Sequence, residues 1–211
     1  MKSTSGSKKL IVLSHSERVE NEAEAISSLF QMGLKNFHLR KPTWKDEEIE
    51  QFLEKIPEEF YENIVLHSHY SLVRKYGLKG IHITQKTKKT GIEEKFKGYH
   101  TSISTHSKDE VLLLDDSYDY AFISPVFNSI SKETYKSGFS LDSLRNFFRE
   151  NATNTEIIAL GGINPDNIQL LQDIPFNGYA VLGYLWENFS RNADMNDLMK
   201  RFKILKEMIY E

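Results

Sequence analysis

The sequence predicts an α/β fold, a single parallel eight-stranded (β/α)8 barrel, and three observations predict it. Short apolar or β-branched runs alternate with segments of helical period almost from end to end,. Strands separated by helices join through right-handed parallel crossovers, because only that hand packs each helix back onto its sheet. Eight such units fit in 211 residues, the scale of a small TIM barrel,. The rival, an open doubly wound sheet, would carry G-x-G-x-x-G after its first strand, and that signature is absent,.

The elements follow in order. Residues 1–9, "MKSTSGSKK", are polar and read as a flexible tail ahead of one barrel domain over 10–211. "LIVLSH" (10–15) reads as the first strand, and "NEAEAISSLFQMG" sets Ala25, Ile26, Leu29 and Phe30 on one helical face, with Gly33 as the stop,. "NFHLRK" (36–41) precedes an amphipathic segment with Ile49, Phe52, Leu53 and Ile56 at helical spacing. "NIVLHSH" (63–69) precedes "YSLVRKYG", and "GIHITQ" (80–85) precedes a weak Lys-rich connection. "YHTSIST" (99–105) leads to "KDEVLLLDD", and the apolar run opening 118–138 leads to a helix with Ser140 as its N-cap,. "TEIIALGGI" (155–163) precedes a helix in "NPDNIQLLQDI", and "NGYAVLGY" (178–184) precedes "LWENF". The closing amphipathic segment, "MNDLMKRFKILKEMI", has an apolar face for the barrel or for a partner, so a homodimer is open.

Composition narrows the function classes. A hydrophobic content of 39% supports a real core, and a net charge of −3 with both signs interspersed gives no global attraction to nucleic acid or anionic membrane,. No cysteine is present, which excludes disulfides, thiolate metal sites and cysteine nucleophiles,. No apolar run approaches the roughly 20 residues of a membrane span, so a cytoplasmic protein is expected,.

In a barrel the functional face lies at the C-terminal ends of the strands. His15, His38, Arg40, His67, His69, His82, Gln85, Ser104, His106 and Lys132 fall there or within strands. Strand alternation puts His38 with Arg40 on one face, and His82 with Thr84 on one face,. Inward polar pairs at a barrel mouth point to a binding site, since burying them unpaired is costly. For His38 or His82 taken alone, a satisfied core histidine is an equal reading. "ALGGINPDN" (159–167) pairs Gly161 and Gly162 at a strand end ahead of a helix start, and Gly183 sits at the next strand end. Backbone N–H groups there suit a phosphate, although a tight turn with positive φ would explain the glycines alone. "NSISK" puts Ser129 and Ser131 on one side of an extended chain beside Lys132, two hydroxyls and an ammonium suited to a second phosphate or diphosphate,.

Taken together, these blocks resemble the thiamine phosphate synthase family, which includes the thiazole tautomerase. "FHLRKP" is similar to the family's "IQLREK", "GLKGIHITQ" to "GADGVHLGQ", and "SISTHSKDEV" to "G-x-S-x-H-S-x-E-E". "DYAFISPVFNSISK" resembles "DYVGFGPVFPTxTK", and "IIALGGINPDN" with "GYAVLG" resembles "PVVAIGGI" followed by "GVAVVS". The resemblance implies a transferase of thiamine biosynthesis that joins a hydroxymethylpyrimidine diphosphate to a thiazole phosphate and releases pyrophosphate, with Mg²⁺ as the expected ion. It implies that Arg40, Ser129, Ser131, Lys132 and Ser104 hold the diphosphate and that His38, His67 and His82 lie at pyrimidine positions. Gly161, Gly162, Leu182 and Gly183 fall at thiazole-phosphate positions. Where the family has metal-binding aspartates this chain has Ser68 and Thr87, so no residue is assigned to a metal. Pro42 replaces a family lysine, with Lys41 beside it as a stand-in, and Pro125 replaces the tautomerase histidine. The alternatives are a tautomerase-like isomerase with His67, His69 or His106 as base, a non-catalytic binder of phosphorylated ligands, and an imidazole metal site built from "HSH" (67–69) and His82.

Overall fold

A computed structural model describes residues 8–128 and 138–210. Eight parallel strands close in sequence order into a barrel, with β8 pairing back to β1. The chain runs β1 (Lys9–Leu13), α1 (Glu22–Gln31), β2 (Phe37–Leu39), α2 (Asp46–Leu53), β3 (Ile64–Leu66), α3 (Ser71–Tyr76), β4 (Gly80–Ile83) and α4 (Gln85–Lys88). It continues through β5 (His100–Thr105), α5 (Lys108–Leu112), β6 (Tyr120–Ile123), α6 (Leu141–Glu150), β7 (Glu156–Leu160) and β8 (Gly178–Val181). Three further helices, α7 (Gly183–Trp186), α8 (Phe189–Asn192) and α9 (Met195–Tyr210), close the described chain. The predicted barrel is therefore the observed one. The first strand takes in Lys9, and residues 1–7 of the expected tail lie outside the described residues.

Strands are shorter than their sequence runs. β1, β2 and β3 stop at Leu13, Leu39 and Leu66, so His15, Arg40 and His67 leave the ladder at its C-terminal end and face the mouth region,. Ser14 fastens that rim: its hydroxyl accepts from Arg40 N at 2.8 Å and donates to Arg40 O at 3.1 Å. The helix expected after β7 is only a 3₁₀ turn, Ile168–Leu171. Pro175, four residues past the turn, bars its continuation,. Ser140 caps α6 as expected, its side chain accepting from Ser143 N, and Gly33 ends the α1 segment with φ 95°.

The hydrocarbon between helices and outer strand faces forms the main core, and Leu198, Phe202, Leu205 and Ile209 of α9 are buried in it. The apolar face of the last helix thus covers its own barrel. The barrel interior is divided. Ile11, Leu13, Tyr120, Phe122, Ile158 and Ala180, from β1 and β6–β8, make a small apolar cluster. Across from it, β2, β4 and β5 turn His38, His82 and Ser102 inward, all at 0% exposure. Among the described residues no helix is long and apolar enough to cross a membrane.

Candidate active site

Strand register explains how residues distant in sequence meet. Leu39 pairs with Leu66 and Leu66 with Ile81, so one step further along places His67 beside Arg40 and His82. His38 Nδ1 lies 2.8 Å from His67 Nε2, and His38 Nε2 lies 2.5 Å from the Tyr120 hydroxyl. His82 Nδ1 contacts Ser102 Oγ at 2.9 Å and its Nε2 contacts Ser104 Oγ at 2.8 Å. The His67 and His82 rings stack with centroids 4.2 Å apart, and Phe122 stacks below His82 at 4.7 Å. The floor of the mouth is thus a pile of flat rings with hydroxyls at its edges.

These imidazoles are neutral. Burial pushes His38 and His82 well below the usual histidine value, and each neighbouring imidazole adds to the effect,. His67 falls to about 3, first through burial and then through the Arg40 guanidinium. Burial also raises the Tyr120 hydroxyl, so it stays protonated. Arg40 is half-buried, and among the described residues its guanidinium has no hydrogen-bonding or ionic partner. A cation without a partner among the described residues, near enough to His67 to depress it, favours an anionic group on a ligand,.

The remaining expected residues separate into groups. Ser104 meets His82 at the rim, but Ser129, Ser131 and Lys132 lie outside the described residues. Gly161 and Gly162 have φ 105° and 64°, and they also receive the loop after β6. Val126 N donates to Leu160 O at 2.9 Å and Phe127 N to Gly161 O at 3.1 Å. A Cβ on Gly162 would sit 2.4 Å from Asn128 O, so close backbone approach requires the glycine, whatever binds nearby,. Leu182 and Gly183 line a cleft of about 250 Å³ beyond β8, together with His15, Trp186, Glu187, Ser190 and Arg191. Arg191 was not singled out in the sequence. It stands eight residues past Gly183 in an ordinary helical segment, and no pattern marks it.

Two expectations are corrected. Lys41 cannot stand in for the family lysine, because it points away from the mouth into the helical layer. It is 1% exposed, forms an ion pair with the equally buried Glu22, and lies under the Trp44 ring. The "HSH" metal reading fails at His69, whose left-handed backbone (φ 57°) turns it outward to Trp44 O at 2.8 Å and Asp46. The histidines that do meet are His38, His67 and His82. His106, the third candidate base, is exposed and contacts Ser124 O at 3.0 Å.

Ser68 and Thr87, which the resemblance alone sets at Mg²⁺ positions, do not fit that ion. Ser68 Oγ is held by His69 Nδ1 at 2.7 Å, and Thr87 Oγ1 closes the N-terminal cap of α4 against Thr84. Neither position supplies the carboxylate oxygen that Mg²⁺ favours.

Comparison with known proteins matches the family and the fold. A family model described as thiamine monophosphate synthase matches residues 9–185. A thiamine-phosphate synthase of Clostridium tetani is 28% identical over 138 residues, 64% of this chain and 65% of the relative, so the match spans just under two thirds of that protein. One from Caldicellulosiruptor saccharolyticus is 23% identical over 87% of this chain and 84% of its own. Among solved structures, thiamine phosphate pyrophosphorylase from Bacteroides thetaiotaomicron superposes with a TM-score of 0.81 at 33% identity, covering 95% and 96% of the two chains. The Pyrococcus furiosus protein of the same title, at 18% identity and TM-score 0.71 over 93% and 96%, agrees in fold. With a family model matched across most of its barrel, the chain belongs to the thiamine monophosphate synthase family.

Proposed function

We propose that the protein is a thiamine phosphate synthase-like transferase, joining a hydroxymethylpyrimidine diphosphate to a thiazole phosphate with loss of pyrophosphate. The observation that carries this reading is Arg40, a guanidinium without a partner among the described residues, at the rim of a ring-lined mouth. Its charge would hold the diphosphate and stabilise the oxyanion as the carbon–oxygen bond breaks. Ser104 would donate to the same group, and Ser129, Ser131 and Lys132 join it on sequence resemblance alone. The stacked faces of His67 and His82 and the edge of His38 would hold the pyrimidine. The thiazole phosphate would lie by Gly162, Leu182 and Gly183, beside the cleft that contains Arg191.

An assay with both precursors, with and without Mg²⁺, tests the reading. Formation of thiamine phosphate is expected; its absence in both conditions refutes the transferase. The hydroxyls at Ser68 and Thr87 favour a second reading, an isomerase or a binder of a phosphorylated thiazole that works without the family's metal. Tight thiazole phosphate binding with no condensation would establish it.

A further inference from the structure

Polar contacts lock the loop after β1 to the loop after β2. The Ser14 hydroxyl accepts from Arg40 N at 2.8 Å and donates to Arg40 O at 3.1 Å. Glu22 divides its carboxylate: Oε1 accepts from His15 N at 3.0 Å, and Oε2 takes the Lys41 ammonium. Lys41 Nζ also donates to Glu17 O at 2.8 Å, and Glu17 N donates to His15 Nδ1 at 3.1 Å. Arg18 of the first loop and Lys41 of the second both lie against the Trp44 ring, at 4.6 Å and 4.8 Å from its centroid. Ser14, Glu22 and Lys41 are all buried.

Stability alone does not call for ions at this place. A buried ion pair offsets its desolvation only through good geometry, and an apolar pair of similar volume often serves a fold as well. What the ions add is direction. Two carboxylate oxygens and one ammonium fix His15 N, Glu17 O and the chain at Lys41 relative to one another,. The residues held by these contacts are the ones that meet the mouth. His15 lines the cleft beyond β8, and Arg40, one residue before Lys41, lies on the other side beside His67.

We propose that Ser14, Glu22 and Lys41 are positioning residues, which hold Arg40 and His15 on one rigid rim so that the guanidinium is aimed to take a diphosphate anion. They touch no ligand. Ser14 acts on the Arg40 backbone from one side, and the Glu22–Lys41 pair fixes the next residue from the other. A guanidinium meets two phosphate oxygens as a planar fork, so its aim matters as much as its charge. The inference rests on the transferase reading for the identity of the whole substrate, but not for capture of the anion.

Inorganic pyrophosphate titrated calorimetrically into the full chain isolates that capture. Arg40→Ala is expected to weaken binding by about tenfold or more. Lys41→Met/Glu22→Leu leaves no stranded charge and keeps the volume filled, so it is expected to fold and to bind pyrophosphate about fivefold or more weakly. Ser14→Ala removes a single oxygen beside Arg40 and is expected to have the same effect, which gives the same reading should the apolar pair not fold. Circular dichroism under the binding conditions shows that each variant is folded, so that lost affinity is not lost protein. Wild-type affinity in either folded variant overturns the proposal and makes these contacts structural only. So does a wild-type chain that binds no pyrophosphate, or one that binds it equally after Arg40→Ala. If the affinities fall as expected but no thiamine phosphate forms, the transferase is refuted and the positioning role stands.

Discussion

Lowering the pH should unfold this protein by a route that starts in the barrel interior. His38 and His82 are fully buried, and their folded-state values lie well below the ordinary 6.5, which the unfolded chain regains. A depressed folded value means that the unfolded state binds protons first. The stabilisation is therefore complete above 6.5 and is lost as the pH falls below it, across the window that reaches down to about 3 for His67,. Near pH 5, roughly one and a half units below the unfolded value, each buried ring has lost about 2 kcal/mol. Two rings give about 4 kcal/mol, and His67 adds less because it is partly exposed and can turn to water. That is a large share of the roughly 5–15 kcal/mol that holds a typical protein folded.

Urea unfolding followed by circular dichroism, near pH 7 and near pH 5, measures the difference. Glu22, pushed up by burial against the pull of Lys41, acts with the opposite sign. The double substitution His38→Gln/His82→Gln isolates the histidine part, since its pH dependence should shrink by most of about 4 kcal/mol. A double variant that keeps the wild-type pH dependence would show that these rings accept protons inside the folded barrel, and the burial argument would be wrong.

Arg40→Ala is expected to lower thiamine phosphate formation by more than about tenfold, and Lys132→Ala likewise, because a departing oxyanion loses its cation. Arg40→Ala should also raise the His67 value, since the guanidinium is its second depressing cause; an unmoved NMR titration would contradict the geometry. Gly162→Ala should destabilise the fold by about 1–3 kcal/mol, from positive φ and the Asn128 contact, read as a shift in urea midpoint,. Lys41→Met should cost about 3–5 kcal/mol by stranding Glu22, and adding Glu22→Leu should recover most of it,. Equal losses in the single and double variants would mean that packing around Trp44, not the ion pair, sets the cost.

Strand positions were legible because each inner and outer face imposes period two on the sequence, and the turns between them are short. His38 and His82 pointed inward as alternation required. What alternation cannot give is stagger. The meeting of His67 with Arg40 and His82 depends on the register of three strands, which hydrogen bonding sets and no single segment encodes. Lys41 shows the same limit from the other side: one residue past an inward arginine, it must face outward, and parity alone argues against a mouth role. Only the fold reveals that Glu22 waits there.

The double glycine carries the sharper lesson. As sequence, "GG" after an apolar run reads as backbone opened for a phosphate. In the barrel, both residues are already required by positive φ and by the loop after β6, which their missing side chains admit. A glycine forced by packing says nothing for or against a ligand. The weight of the phosphate reading therefore moves to groups that packing does not need, and these are Arg40, without a partner among the described residues, and Arg191 beside Gly183. On the ring side of the mouth the same reasoning gives weight to the buried imidazoles. A barrel interior could have been filled with aliphatic side chains, as β1, β7 and β8 fill theirs. Three imidazoles and two serines in that volume demand mutual satisfaction, and the His38–His67, His82–Ser102 and His82–Ser104 contacts supply it,.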